Sequence, residues 1–237
     1  MPDDRLRVRN RLLAVLSDED FAEIFDLLDL VELPRRIALS EANEKDGHSY
    51  FLESGVASII AVSPGGLRAE VGLFGRDGMT PSGLMIDAGL SPFQVIMQIT
   101  GNGYRIKSKM LARILAERPA FLNLLTRYAH TLAVQTAYTA LSNAVHSVDE
   151  RLARWILMCH DRSDGQGVSL THDFLAVLLA VRRPSVTTAL HGLEGRKFIL
   201  AERGLITIVD RPGLAEFAAD AYGTPEGVYD RLINAVA

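Results

Sequence analysis

The sequence predicts an α+β chain: an N-terminal double-stranded β-helix (jelly-roll) barrel, a long central helix, and a C-terminal winged helix-turn-helix. Three observations carry this. Residues 171–194, THDFLAVLLAVRRPSVTTALHGLE, are spaced as two short helices around a tight turn, and two short apolar runs follow at 198–201 and 205–209, flanking Glu202-Arg203-Gly204 as a hairpin signal. Between Val31 and Tyr104, short β-like runs are broken by turn residues. From Pro119 to Asn143, apolar residues recur at helical spacing.

In chain order, Ser17-Asp18-Glu19-Asp20 followed by Phe21, Ile24, Phe25, Leu27 and Leu28 reads as a capped helix whose acids sit where the helix dipole favours them. Strands are expected at 31–34, 50–52, 56–62 and 67–73, the last two joined by Ser63-Pro64-Gly65-Gly66. Further strands fall at 93–99 and 104–107, around the turn Gly101-Asn102-Gly103. In the central helix, Leu122, Leu125, Leu132 and Leu141 recur with Phe121, Tyr128 and Ala129 near a seven-residue rhythm. Apolar residues at adjoining positions predict two buried faces, one on the barrel and one against the same helix of a second copy.

In the helix-turn-helix, Leu175, Leu178 and Leu179 follow Thr171, whose hydroxyl can cap the first turn. The second helix starts near Arg182, with Val186, Leu190 and Leu193 on one face. Its other face carries Arg183, Ser185, Thr188 and His191, side chains able to reach base edges and phosphates from the major groove. The run from Asp210 through Tyr222 reads as a capped helix ending at Gly223, with a weak helix after Pro225, both expected to pack on the winged helix.

A chain of 237 residues with 48% hydrophobic and 23% charged residues is long enough for two cores and ordinary for globular domains. No segment approaches the roughly 18 apolar residues of a membrane span, and the N-terminal run lacks a signal-peptide core, so a cytoplasmic protein without membrane contact is expected. The single cysteine, Cys159, excludes an intramolecular disulfide and an iron–sulfur cluster held by one subunit's thiolates. Net charge is −4, yet residues 182–203 carry five cations against Glu194 and Glu202, a local +3. So small an excess predicts few phosphate contacts per subunit, and affinity from two subunits on one duplex.

Catalytic readings fail on geometry. Cys159-His160-Asp161 has the residue types of a nucleophile, base and orienter, but consecutive helical residues point about 100° apart and cannot form the relay. His172-Asp173 has the same flaw. A jelly-roll metal site needs several converging histidines, whereas the barrel region offers His48 alone, so no metal and no enzyme are expected. The stretch Gly72 to Gly78 is neither a P-loop nor a dinucleotide fingerprint.

The segment Val148-Asp149-Glu150-Arg151-Leu152-Ala153-Arg154-Trp155-Ile156-Leu157, the downstream RRPSVTTALHGLE and the wing resemble the Crp/Fnr family of bacterial transcription regulators, strongly over 147–211 and weakly before about Lys107. The resemblance implies a cyclic-nucleotide-binding-like sensor at 1–118, a dimerisation helix and hinge at 119–146, and a DNA-binding domain at 147–237. It further implies a homodimer on a palindromic duplex, with RNA polymerase as a further partner. Arg183 takes the place of the family arginine that reads guanine. Pro184 stands where an acid often reads cytosine, and Thr188 at a later arginine position. Ser185 and Thr188 are candidate base or phosphate contacts; Thr171, His172, Arg182 and the wing's Arg203 are candidates for the DNA backbone.

The family's phosphate-binding cassette falls near Gly75, Gly78, Gly83 and Gly89, but its glutamate and arginine positions are Pro81 and Ser91 here. Without that cation, desolvating a cyclic phosphate is costly, so cyclic AMP is not expected. Gly78, Pro81, Ser82, Gly83 and Ser91 are candidate positions for an unknown, more neutral effector. The family also includes haem sensors, for which His48 and His130 are the available axial ligands. Rival readings are an interaction module whose winged helix binds protein, and a jelly-roll enzyme with a helical appendage.

Overall fold

The computed structural model describes residues 8–80, 90–165, 167–202 and 204–234. Two short helices, α1 (Arg11–Ala14) and α2 (Asp18–Phe25), come first among the described residues, each capped by a side chain: Asn10 accepts from Leu12 and Leu13 N–H, and Ser17 from Asp20 N–H. Among the described residues seven strands follow: β1 (Asp29–Leu33), β2 (Ala38–Ser40), β3 (His48–Leu52), β4 (Val56–Val62), β5 (Arg68–Phe74), β6 (Phe93–Ile99) and β7 (Gly101–Lys107). They pair antiparallel into two sheets, β1-β7-β3 and β2-β6-β4-β5. The N-terminal half is thus a sandwich of two sheets, and the described strands do not close into the barrel expected from sequence.

Alternation along each strand decides what touches what, because successive side chains leave opposite faces of a sheet. Leu52, Ala57, Ile59 and Phe74 point into the sandwich, where they meet Leu33, Leu39, Val95 and Met97. Their immediate neighbours do the opposite. Phe51 turns outward onto α1, α2 and the central helix, and Val56 and Leu73 turn outward onto the C-terminal half. Strands β3, β4 and β5 are therefore buried on both faces over part of their length.

Helix α3 (Ser108–Glu117) leads into the 27-residue α4 (Pro119–Val145), with proline in its first turn, where a missing N–H costs nothing. In the first half of α4 the buried residues are apolar: Phe121, Leu124, Leu125 and Tyr128. In the second half they are polar: Thr131, Gln135, Thr139 and Ser142. The exposed side there is apolar instead, with Ala133, Ala137, Leu141 and Val145 facing outward.

After Ser147, whose hydroxyl and partner Glu150 form a capping box, α5 (Val148–Arg162) opens the C-terminal half. A short strand β8 (Gly167–Ser169) precedes α6 (His172–Leu178) and α7 (Arg183–Gly195); strands β9 (Ile199–Glu202) and β10 (Leu205–Ile208) form the wing. The sheet order is β8-β10-β9, so the wing gains a third strand that the sequence reading lacked. Helix α8 (Arg211–Ala218) packs on α5 as expected. The last helix, α9 (Thr224–Leu232), does not stay on the winged helix. It crosses back to α4, burying Tyr229 and Ile233 in the cluster that holds Leu12, Leu13 and Tyr128.

Candidate nucleic-acid interface

The helix-turn-helix is fixed by three local devices. Thr171 Oγ1 accepts from Phe174 N–H at 3.2 Å and starts α6. At its end Ala180 has φ +51°, Ala180 N–H donates to Val177 O at 3.2 Å, and Val181 N–H donates to Ala176 O at 3.0 Å. This is the paired closure of a Schellman turn with alanine where glycine is usual, at a strain of about 1–2 kcal/mol. Arg151 of α5 reaches across and donates to Leu179 O, satisfying a carbonyl left free at that helix end. Sequence reasoning passed over Arg151, since nothing within α5 tells which of its arginines faces the turn.

Helix α7 then buries Val186, Ala189, Leu190 and Leu193 and exposes Arg182, Arg183, Pro184, Ser185, Thr188 and His191. Pro184 sits in the first turn. Arg183 Nη1 lies 3.3 Å from Asp173 Oδ1, with the two side chains 65% and 71% exposed. A contact so open to water is weak, and the guanidinium is free to change partner. Thr188 Oγ1 donates to Pro184 O at 3.2 Å, and His172 Nδ1 lies 3.3 Å from Thr187 Oγ1, so His172 and Thr187 together pin α6 to α7. The fold thus gathers Arg182, Arg183, Ser185 and Thr188 at one exposed helix end, places His172 in the seam, and uses Thr171 as a cap. Arg203 lies outside the described residues.

The start of α7 and the turn before it face the outer surface of the four-stranded sheet across a cleft of about 810 Å³. Ile60 and Ile96 line its sheet side. Arg35, Arg36 and Arg68 stand there opposite Arg182, with Asp173 as the acidic member of the lining. These arginines lie far from residue 182 in sequence and escaped the charge reading. They extend the positive field around α7 well past the local +3.

The two halves are also joined by buried polar contacts behind the helix-turn-helix. Arg162 Nη2 pairs with Asp77 Oδ2 at 2.7 Å, both side chains 9% exposed, and Arg162 Nη1 donates to Met158 O at 2.9 Å. Tyr229 of α9 donates to Asp77 O at 2.6 Å. Arg154 Nη2 donates to Thr139 Oγ1 at 3.0 Å, tying α5 to α4. Glu70 of β5, fully buried, accepts from Ser58 Oγ at 2.7 Å and leaves its other oxygen unpartnered; burial pushes its carboxyl up to about 8. At the link between α4 and α5, His146 Nε2 lies 2.8 Å from Asp220 Oδ1.

Among the sensor positions, Gly78 accepts at its carbonyl from Asn10 Nδ2 at 2.7 Å, and a Cβ there would fall 2.2 Å from Tyr128 Oη, so close packing requires glycine. Ser91 is buried with its hydroxyl donating to Phe93 O at 2.9 Å. Pro81, Ser82 and Gly83 lie outside the described residues. Cys159 is fully buried, which pushes its thiol up, while Asp161 accepts from Tyr222 at 2.6 Å and Arg211 at 2.7 Å, away from any cysteine chemistry. Among the described residues, no three His, Cys, Asp or Glu side chains gather as a metal site, and no helix is long and apolar enough to cross a membrane.

Residues 150–217 match the family model of the Crp-like helix-turn-helix domain. No curated protein matches the chain in sequence. Solved structures match across both halves. FixK2 from Bradyrhizobium japonicum aligns with a TM-score of 0.70 at 13% identity, over 81% of this chain and 98% of its own. The c-di-GMP responsive global regulator CLP of Xanthomonas campestris gives 0.64 at 18%, over 81% and 99%. CooA from Carboxydothermus hydrogenoformans gives 0.62 at 13%, over 88% and 95%. The C-terminal half thus carries a Crp-like helix-turn-helix domain, and the chain as a whole shares the two-part fold of these solved structures.

Proposed function

We propose that the chain is a sequence-specific, DNA-binding transcription regulator that acts in the cytoplasm as a homodimer, not an enzyme. Its parts are a sensor domain at 1–118, a dimerisation helix and hinge at 119–146, and a DNA-binding domain at 147–237. The observation that carries the reading is the start of α7, where Arg182, Arg183, Ser185 and Thr188 are exposed together on a helix whose other face is locked in the core. Arg183 reads guanine, its fork matching O6 and N7. Ser185 and Thr188 contact bases or phosphates, and Arg182, Thr171, His172 and Arg203 hold the DNA backbone. The exposed apolar residues of α4, among them Ala133, Ala137 and Leu141, supply the seam with a second copy. A two-fold dimer then presents two α7 helices about 34 Å apart to a palindromic operator. An effector acts by binding the two arrangements of the domains differently, and RNA polymerase is the downstream partner.

Selection of bound duplexes from a random pool at two salt concentrations tests this. Enrichment of a palindrome with half-sites about one helical turn apart, weakening steeply with salt, is expected. A winged helix that binds protein instead gives no enrichment at either salt, with or without cell extract.

A further inference from the structure

The outer face of β4 meets the C-terminal half and changes character along its length. At one end Val56 joins the core of α5; at the other Ile60 lines the open cleft. Between them Ser58 donates to Glu70 Oε2 of β5 at 2.7 Å, while Glu70 Oε1, equally buried, has no partner. A carboxyl so placed is at ease as the neutral acid, because the charged form finds neither water nor a bonded cation. The cation whose charge bears on it is Arg154 of α5, 1% exposed and committed elsewhere. Arg154 Nη2 donates to Thr139 Oγ1 near the end of α4 at 3.0 Å, and its guanidinium lies 4.9 Å from the ring centre of Trp155.

We infer that Glu70, Ser58 and Arg154 form a proton-operated switch at the link between α4 and α5: as the neutral acid Glu70 leaves Arg154 to Thr139, and as the carboxylate it draws Arg154 away and unties the two helices. The step releases one proton to solvent. Burial holds that proton on Glu70 up to about 8, and burial lowers Arg154 to about 10, so the arginine is still largely charged when the carboxylate forms. The surroundings are otherwise committed. Strand β4 carries no ionisable side chain, and α4 turns neutral Gln135 and Thr139 to this side. On α6, His172 meets Thr187 and Asp173 meets Arg183. On α5, burial pushes the Cys159 thiol up, and Arg162 pairs with Asp77. Glu226 of α9 acts on Arg154, and Arg68 of β5 turns to Gln94. That the switch governs DNA binding rests on the regulator reading above: with α5 untied from α4, the two α7 helices lose their fixed spacing, and operator affinity falls as pH rises through about 8.

The chain carries its own reporter. Trp155 is its single tryptophan, and a guanidinium leaving the ring face changes its emission. The test is an emission titration of the full chain from about pH 6.5 to 9.5, joined to hydrogen–deuterium exchange over residues 136–148 corrected for the intrinsic effect of pH. One emission step near pH 8 is expected, with exchange rising at least about threefold across it, and both are expected to vanish in Glu70→Gln. Thr139→Val removes the competing acceptor and is expected to lower the midpoint by about half a pH unit or more. A profile without the step, a step that survives Glu70→Gln, or a midpoint unmoved in Thr139→Val overturns the switch. The duplex recovered in the selection above is expected to bind at least about threefold more weakly at pH 8.8 than at pH 7.2, a difference lost in Glu70→Gln. Equal binding at both overturns the switch's hold on DNA. Emission and exchange are read without DNA, so a failed selection removes the regulator reading and leaves the switch standing; a flat emission profile does the reverse.

Discussion

The C-terminal half meets the sandwich in two opposite ways. Along α5 the contact is welded: Val56 and Leu73 share a core with Trp155 and Ile156, and Asp77 and Arg162 pair at 2.7 Å with little access to water. Across the cleft at α7 it is open: Arg182 faces Arg35, Arg36 and Arg68 of the sandwich over about 810 Å³, and within the helix-turn-helix Arg183 and Asp173 meet at 3.3 Å in view of solvent. The same residue types, an arginine and an aspartate, thus do different work on the two sides. Where water is excluded the pair fixes position, because separating it strands a charge. Where water enters, the pair holds almost nothing, and the arginine stays free to change partner. Stiffness lies along α5 and freedom along α7, the division needed if a signal from the sandwich is to move a reading helix without loosening the domain that carries it.

Breaking the weld should cost most. Asp77→Ala leaves Arg162 buried and unpaired and is expected to lower stability by about 3–5 kcal/mol in urea denaturation. Pairing it with Arg162→Met removes the stranded charge and should recover much of the loss; a double variant as unstable as the single would mean that the ion pair is not what joins the halves. Next in size is Glu70. In the fold it keeps its proton up to about 8, whereas an unfolded glutamate releases it near 4.5. Between those values the folded chain binds more protons than the unfolded one, so stability falls as pH rises. Glu70→Gln should abolish that slope and stabilise the protein at pH 8 by on the order of 3 kcal/mol, read from melts at several pH values.

On the open side, Arg183→Ala should leave stability within about 0.5 kcal/mol, yet weaken operator binding by about 1–3 kcal/mol and relax preference at one base of each half-site. A variant that keeps full affinity and base preference ends the assignment of direct readout. Smallest of all, Asp173→Asn should shift the melt by under about 1 kcal/mol, since the ion pair it removes is exposed. A larger loss would show that the cleft side is less open than its exposure suggests.

What the sequence made legible was local. Thr171 as cap, Pro184 in the first turn of α7 and the apolar spacing from Val186 to Leu193 announced the helix-turn-helix, because capping and periodicity act within a few residues. The strands from Val56 to Phe74 were equally plain. Three-residue β2 and β8 were not, being too short to show alternation, and α3 was passed over between a strand and a longer helix. Of the site, α7 was read directly, whereas Arg35, Arg36 and Arg68 were hidden because only folding brings them opposite Arg182. Asp77 and Arg162 lie in different halves, and no local pattern marks them as partners. The expectation that the last helix would rest on the winged helix failed for the same reason: the amphipathic pattern of α9 says that it buries a face, not which surface receives it.

That last helix also sets a clock. Tyr229 is translated about a hundred residues after Tyr128, whose cluster it joins. At about 5–20 residues per second the surface that receives α9 waits roughly 5–20 s on the ribosome before its cover arrives. During that interval the sandwich and the winged helix can each complete their own packing while α9 has yet to join them. The order of synthesis lets two domains mature apart before the final turn of chain draws them together.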